Sequence, residues 1–90
     1  MRERDLERYT TMFIKSHGGL ALKFISPGYA GVPDRLVLMP GGKMCFMELK
    51  APGRKPRPLQ VRRIKQLRAL GFKVFVVDGK EEIGGIINAL

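Results

Sequence analysis

The sequence predicts an α/β domain in which a four-stranded mixed sheet is flanked by helices, in the order αβββαβα. Apolar residues at helical spacing alternate with short apolar runs bounded by Gly and Pro, and this alternation indicates the fold class. Length limits its size: 90 residues make one domain, residues 1–90, because so short a chain buries only ~60–65% of its unfolded surface. We therefore do not expect a two-domain enzyme with a separate cofactor domain.

Glycines and prolines mark the element boundaries. The first helix follows Arg2 and ends near residue 17, before Gly18-Gly19, and Gly71 ends the second helix. A Pro-Gly-Gly turn joins the second and third strands as a hairpin. The last strand is apolar on both faces, which predicts a central position in the sheet. The remaining predicted elements are strands 20–25, 36–39, 44–49 and 72–77 and helices 59–70 and 81–90.

The charge is strongly and unevenly basic. Seventeen Lys and Arg oppose eight Asp and Glu, which gives a net charge of +9. Residues 49–77 contain nine basic residues and no acidic one, so the charge of this segment alone equals the net charge of the whole chain. Such polarity favours a polyanionic partner, nucleic acid first and an acidic membrane surface second. A solvated basic surface without a partner is the plainer alternative.

Cysteine content and hydropathy indicate the compartment. The single cysteine, Cys45, excludes an intramolecular disulfide and a cysteine-based zinc cluster. No apolar run approaches the ~20 residues of a membrane helix, and the charged amino terminus does not resemble a signal peptide. We therefore expect a cytoplasmic protein without a membrane span.

The candidate site lies at one end of the predicted hairpin. Glu48 and Lys50 share one face at the end of a strand that is otherwise apolar on both faces. Buried charges are costly unless they are paired or bind a metal. Asp34 stands at the start of the adjacent strand, so its carboxylate and that of Glu48 can converge. Two plainer interpretations stay open: Asp34 as a turn cap and Glu48–Lys50 as a structural ion pair.

Two carboxylates beside a lysine indicate metal-assisted phosphodiester hydrolysis. Carboxylate oxygens are the ligands that Mg²⁺ prefers, with water and substrate phosphate completing the octahedron. Lys50 can position the attacking water and stabilise charge that develops on a phosphoryl oxygen. The basic segment supplies groups for the remaining phosphates.

Two helices add further candidates. Gln60 falls near the centre of the predicted buried side of the second helix. It is either a core amide whose hydrogen bonds are satisfied or a group of the active site. Glu3 or Glu7 on the first helix could supply a third carboxylate, and periodicity does not choose between them. The predicted buried arc consists of Leu59, Val61, Ile64, Leu67 and Leu70.

These residues form a pattern that resembles a known nuclease family. Pro33-Asp34, followed by Glu48-Leu49-Lys50 fourteen residues after Asp34, resembles the PD-(D/E)xK motif. The lead-in Gly31-Val32 and the segment Gln60-Val61-Arg62-Arg63 resemble the VRR-NUC family, and the resemblance covers nearly the whole chain. It implies a restriction-endonuclease-like core that binds Mg²⁺ or Mn²⁺. Small stand-alone members resemble virus-type junction resolvases, which are typically homodimers that cut branched DNA such as four-way junctions.

The resemblance also assigns roles by position. It implies that Asp34, Glu48 and the Leu49 carbonyl are metal ligands, that Lys50 is the catalytic lysine, and that Gln60 is the glutamine of the family.

The first-helix acidic residue matches the family less closely. Glu7, eleven residues before Gly18, has a spacing similar to that in related resolvases, which favours it over Glu3 as a catalytic residue and metal ligand. The residues expected to contact DNA are Ser26, Tyr29, Arg54, Lys55, Arg57, Arg62, Arg63 and Lys65.

Three functions stay open on the sequence. The first is a metal-dependent endonuclease selective for branched DNA, the second a non-catalytic basic nucleic-acid-binding module, and the third a nuclease subunit acting with a helicase in another chain. A homodimer is expected, because a small nuclease has little surface to hold a branched duplex and two-fold symmetry matches paired cuts. No helix carries a clear set of base-reading side chains, which predicts preference for DNA shape over sequence.

Overall fold

The computed structural model describes all residues from 1 to 90 and confirms the predicted order of elements. Short 3₁₀ turns occupy residues 40–42 and 80–82, so the last helix is shorter than predicted. None of the helices is long and apolar enough to cross a membrane. The elements are α1 (Glu3–Ser16), β1 (Leu20–Lys23), β2 (Arg35–Met39), β3 (Lys43–Leu49), α2 (Pro58–Ala69), β4 (Val74–Val77) and α3 (Ile83–Asn88).

The strands form one mixed sheet in the order β1-β2-β3-β4. The pairs β1–β2 and β2–β3 are antiparallel, whereas β3 and β4 are parallel and are connected through α2, as a parallel pair requires. In the β2–β3 hairpin, Leu36 lies opposite Phe46 and Arg35 opposite Met47. This register brings the start of β2, the end of β3 and the end of β1 to the same end of the sheet.

The main cluster of buried apolar side chains lies on the sheet face that α1 and α3 cover. Leu6 and Ile14 of α1 and Ile83 of α3 are fully buried there. Each such side chain contributes ~1.5–3 kcal/mol through burial, so this layer supplies most of the hydrophobic stabilisation. The strand residues of this core are Val37, Cys45, Met47, Leu49 and Val77.

The opposite face is covered only in part, by α2. Gln60 and Ile64, one turn apart, are buried against the sheet, whereas Leu59, Val61 and Leu70 are exposed. The prediction that all the apolar residues of this helix are buried was therefore wrong. Because no second helix lies beside α2 on this face, its apolar flank has nothing to pack against.

The prediction that 72–77 is a central strand was also wrong. Strand β4 is an edge strand that pairs with β3 alone. It is apolar on both sides because it lies between two layers: Val77 packs in the main core, and Val74 is buried on the side of α2. The Arg68 guanidinium of α2 donates to the carbonyl of Val74 at 2.7 and 3.2 Å.

Candidate active site

The end of the β2–β3 hairpin brings Asp34 and Glu48 together. The backbone N–H of Asp34 donates to Oε1 of Glu48 at 3.2 Å, and the N–H of Leu49 donates to Oδ1 of Asp34 at 3.2 Å. Pro33, which precedes Asp34, is fully buried and holds the chain at this point. Each carboxylate is thus held by the backbone beside the other, as the hairpin predicts.

Glu48 is an almost fully buried carboxylate with two side-chain partners. Its Oε2 lies 3.2 Å from the Lys50 ammonium and accepts a hydrogen bond from Nε2 of Gln60 at 2.9 Å. The Oε1 of Gln60 accepts from the backbone N–H of Arg57 at 2.8 Å, at the start of α2. Gln60 therefore ties the first turn of α2 to Glu48 with both ends of its amide, which gives this buried polar group its partners.

A cavity of about 380 Å³ opens over these residues. Its acidic floor includes Asp34 and Glu48, with Glu3 from α1 on one side. The loop before α2 contributes three of the predicted DNA contacts, and together with Lys50 they place positive charge around the carboxylates. The basic residues that line the cavity are Lys50, Arg54, Lys55 and Arg57.

Helix α1 adds two carboxylates next to Asp34. Glu3, Glu7 and Asp34 each offer a carboxylate oxygen within 4.8 Å of the others. Glu3 lines the cavity with Glu48, whereas the Oε2 of Glu7 lies 3.3 Å from the Arg35 guanidinium and faces the neighbouring grooves. Both candidates on the first helix therefore reach Asp34, and the preference for Glu7 stays a prediction.

Arg35 is a residue that the sequence reasoning missed. It is buried and pairs with Glu7, while its Nε has no hydrogen-bond partner. The available signal was the strand alternation, which places Arg35 on the same face as Val37 and Met39. A charge on an otherwise apolar face needs a partner. Here the partner is Glu7, one of the carboxylates that lie close to Asp34.

Comparison with known proteins identifies the family of the chain. No family model matches the chain. A protein of Acyrthosiphon pisum secondary endosymbiont phage 1, named "Putative nuclease p44", is 48% identical over 90 residues, which cover 100% of this chain and 96% of that protein. A solved "VRR_NUC domain" is 33% identical with a TM-score of 0.87, covering 96% of this chain and 94% of that one. The chain belongs to the VRR-NUC family.

As a VRR-NUC domain, the chain has the restriction-endonuclease-like fold that the sequence predicted. A nuclease of this fold implies a divalent metal ion, and the carboxylates fit one. Burial and the neighbouring Glu48 carboxylate raise the pKa of Asp34 to about 7, although the hydrogen bond from Leu49 lowers it. Crowded carboxylates that resist ionisation are stabilised by a bound cation, and a set of oxygen donors suits Mg²⁺ or Mn²⁺.

The predicted contacts in the β1–β2 loop of the VRR-NUC chain line a groove beside α2 that does not include Asp34. The Arg63 guanidinium lies 3.8 Å from the centroid of the Tyr29 ring, and the Tyr29 hydroxyl donates to Gln66 at 3.2 Å. Gly31, with φ +90°, permits this close packing, since a Cβ there would lie 2.8 Å from Cγ of Leu59. Arg63 and Tyr29 thus hold the loop against the helix. Ser26 lines the same groove.

The remaining predicted DNA contacts, Arg62 and Lys65, are exposed on the outer side of α2. The groove that they line contains none of the carboxylates. The structure therefore gathers Arg54, Lys55 and Arg57 at the cavity and leaves these two on a different surface.

Proposed function

We propose that this VRR-NUC domain is a divalent-metal-dependent DNA endonuclease that hydrolyses phosphodiester bonds through a PD-(D/E)xK site. The observation that supports it best is the pair of backbone hydrogen bonds that hold the two carboxylates, from the N–H of Asp34 to Glu48 and from the N–H of Leu49 to Asp34. The Lys50 ammonium lies beside Glu48. This arrangement combines hard oxygen ligands with a cation at the edge of a basic cavity, which is what phosphoryl chemistry requires.

The proposed metal ligands are Asp34, Glu48, the Leu49 carbonyl and Glu7. A bound Mg²⁺ or Mn²⁺ would supply Lewis acidity and lower the pKa of bound water. The protein holds its ligands ready: Gln60 fixes one oxygen of Glu48, and Arg35 fixes Glu7. Glu3, which lines the cavity, is the alternative to Glu7.

Lys50 is the proposed catalytic lysine. Its ammonium is held 3.2 Å from Glu48 and is mostly shielded from solvent. A cation in this position orients the attacking water and stabilises the negative charge that develops on the phosphoryl oxygens. Its pairing with Glu48 keeps the ammonium at the site before the substrate binds.

The proposed substrate is branched DNA, with four-way junctions first, cut by a homodimer. Arg54, Lys55 and Arg57 would hold phosphates next to the cavity. Ser26, Tyr29, Arg62, Arg63 and Lys65 would extend the contact over the loop and α2. Because phosphate contacts release counterions, binding should weaken steeply with salt. Two copies related by two-fold symmetry would match the paired cuts that resolve a junction.

A cleavage assay tests this function. The substrates are a labelled four-way junction and its matched linear duplex, each with Mg²⁺, Mn²⁺ or EDTA. Wild type should cut the junction in paired positions only with metal, and Lys50→Ala should lose cutting. The matched control is Lys43→Ala, an exposed lysine at the other end of β3, which should keep wild-type activity.

Two results would contradict the proposal for the isolated chain. Binding without cutting in every metal would favour a non-catalytic nucleic-acid-binding module. Cutting that appears only after a helicase is added would assign the chain as the nuclease subunit of a larger assembly.

A further inference from the structure

A continuous path of cavities runs across the carboxylates. The cavity over Glu48 shares Asp34 with a groove of about 250 Å³ at the end of β1. That groove shares Glu7 and Arg35 with another of about 310 Å³, which lies along α1. The acidic residues therefore lie in the middle of a longer path, and the basic loop before α2 forms one end of it.

The other end of this path is also basic. Arg4 and Arg8 line the groove along α1 together with Arg35, and Lys23 lines the groove at the end of β1. The groove along α1 contains one carboxylate, Glu7, which is already paired with Arg35. We call Arg4, Arg8, Lys23 and Arg35 the α1-side basic group. All four lie outside residues 49–77, and none of them was among the predicted DNA contacts.

The members of the α1-side basic group lie close together although their charges repel. Arg4 and Arg8 are one helical turn apart on α1, where like charges destabilise a helix. Lys23 and Arg35 lie directly opposite each other on β1 and β2, where like charges are also destabilising. Local arrangements that cost stability without an evident gain are typical of functional sites. An anion bound between these cations would remove the repulsion.

Most of the hydrogen-bond donors of this group have no partner. The Arg35 side chain is 10% exposed, and of its five N–H donors only one at Nη2 is used, in the contact with Glu7 at 3.3 Å. Its Nε is buried without a partner. Arg4, Arg8 and Lys23 form no salt bridge. Because buried polar groups normally have their hydrogen bonds satisfied, the unsatisfied guanidinium points to a ligand of the groove.

A phosphate of the DNA backbone matches these donors. The guanidinium of Arg35 presents its N–H groups as a planar fork that suits phosphate oxygens, and the two arginines of α1 add positive charge in the same groove. The path leads from there to Asp34 and on to the basic loop before α2. A DNA strand is a polyanion long enough to occupy both basic ends at once.

We propose that the α1-side basic group binds a backbone phosphate of the DNA strand that is cut. This inference rests on the proposed function for the course of the strand across the carboxylates, whereas phosphate binding itself does not require cutting. Since Arg35 also contacts Glu7, the bound phosphate would meet the guanidinium that orients a proposed metal ligand. The two basic ends would hold the strand on either side of the carboxylates, which restricts the position of the scissile bond.

DNA binding in EDTA, where cutting is prevented, tests this site. The variant combines Arg4→Gln with Arg8→Gln, and because both side chains are exposed, circular dichroism should show an intact fold. At about 0.1 M salt it should bind a labelled four-way junction roughly 5–10-fold more weakly than wild type. The slope of log affinity against log salt should fall by about 1.

The matched control combines Lys43→Gln with Lys73→Gln. It removes the same two charges from exposed residues just before or at the start of β3 and β4, at the opposite end of the sheet. Its affinity and its salt dependence should stay close to those of wild type. The control therefore separates a phosphate contact from a general loss of positive charge.

A neutral phosphate in the DNA locates the contact. Methylphosphonate groups, placed one at a time along one strand near the branch point, each remove a single phosphate charge. One such position should weaken binding by wild type several-fold but should cost the variant of Arg4 and Arg8 nothing further, because the protein partner is already missing. Arg35→Lys keeps the charge but not the planar fork, so it should also lose sensitivity to that position.

Two results would overturn the proposal. Equal affinity and equal salt dependence of the Arg4 and Arg8 variant and the control would show that these arginines are only a solvated surface. Equal sensitivity of variant and wild type at every methylphosphonate position would show that they contact no phosphate.

The test is independent of catalysis. Wild type that binds DNA without cutting it would contradict the nuclease function, whereas the comparison of the two double variants would still decide the phosphate site. If both proposals hold, the variant of Arg4 and Arg8 should raise KM for metal-dependent cleavage more than it lowers kcat.

Discussion

The two faces of the sheet are built for different purposes. On the face toward α1 and α3, side chains such as Val37 and Met47 are fully buried in a continuous apolar layer. On the face toward α2, buried Glu48 and Gln60 lie next to apolar positions that remain exposed. The face toward α1 and α3 therefore supplies most of the stability, whereas the incompletely covered face carries the buried charged and polar groups of the candidate site.

The candidate active site lies where these two faces meet. The Glu48 side chain lies on the sheet face that α2 covers. The side chain of the next residue, Leu49, packs in the main core on the opposite face, and its backbone N–H donates to Asp34. Consecutive residues of β3 alternate between the two faces. The rigid core thus fixes the position of the site, although the site itself lies outside that core.

The largest expected effect is on catalysis, at the charged end of the sheet face that α2 covers. Glu48→Gln keeps the size of the side chain but removes its charge, so cleavage should fall by roughly 10³-fold, as when a group that stabilises the transition state is lost. DNA binding should be kept or strengthened, because a negative charge near the phosphates is removed. Single-turnover cleavage and a binding titration measure the two effects.

The control for this substitution is Glu81→Gln, which changes an exposed carboxylate outside the cavity. It should leave both cleavage and binding at wild-type values. Equal cleavage by Glu48→Gln and wild type would remove Glu48 from the proposed machinery.

Neighbouring residues of β2 compare the stability of the two faces directly. Val37 is fully buried, and Leu38 is exposed on the opposite face. Val37→Ala should lower the free energy of unfolding by about 2–3 kcal/mol through cavity formation, whereas Leu38→Ala should lower it by less than about 1 kcal/mol. Urea denaturation at low protein concentration measures both. A larger cost for Leu38→Ala would mean that the sheet face toward α2 contributes as much to folding as the main core.

A smaller effect is expected from Asp34 in metal-free protein. Folding raises the pKa of this carboxyl from its ordinary value of 3.8 to about 7. Between these values the folded state binds more protons than the unfolded state, so the stability contributed by protonated Asp34 is lost as pH rises to about 7. Asp34→Asn should remove this loss of stability. The free energy of unfolding of the variant relative to wild type should therefore be more favourable at pH 8 than at pH 4.

Urea denaturation in EDTA across this pH range measures the difference. Addition of Mg²⁺ at pH 8 should stabilise wild type but not Asp34→Asn. The same pH dependence in both proteins would show that Asp34 does not carry the raised pKa.

Local features of the sequence were sufficient to predict the hairpin and the residues that it brings together. Strand alternation and the Pro-Gly-Gly turn determine the face and the end of the sheet on which Glu48 and Lys50 lie. Gln60 lies in the first turn of α2, and the helical period predicts that its side chain points inward. These predictions need only neighbouring elements in the chain.

The features that the sequence did not predict depend on how layers pack. An apolar flank on α2 looks the same whether a second helix covers it or not, so Leu59 and Leu70 were assigned to the core. Strand β4 is apolar on both faces because a layer of helices covers each face. This pattern does not require a central position in the sheet. The pairing of Arg35 with Glu7 likewise depends on where α1 crosses the sheet.

Metal binding without DNA tests the central claim most directly. Isothermal titration of Mn²⁺ into wild type, Asp34→Asn, Glu48→Gln and Glu81→Gln isolates the carboxylates from every other step. The account predicts that wild type and Glu81→Gln bind Mn²⁺ equally and that the other two variants bind at least ~10-fold more weakly. Absence of binding by wild type, or equal binding by all four proteins, would contradict it.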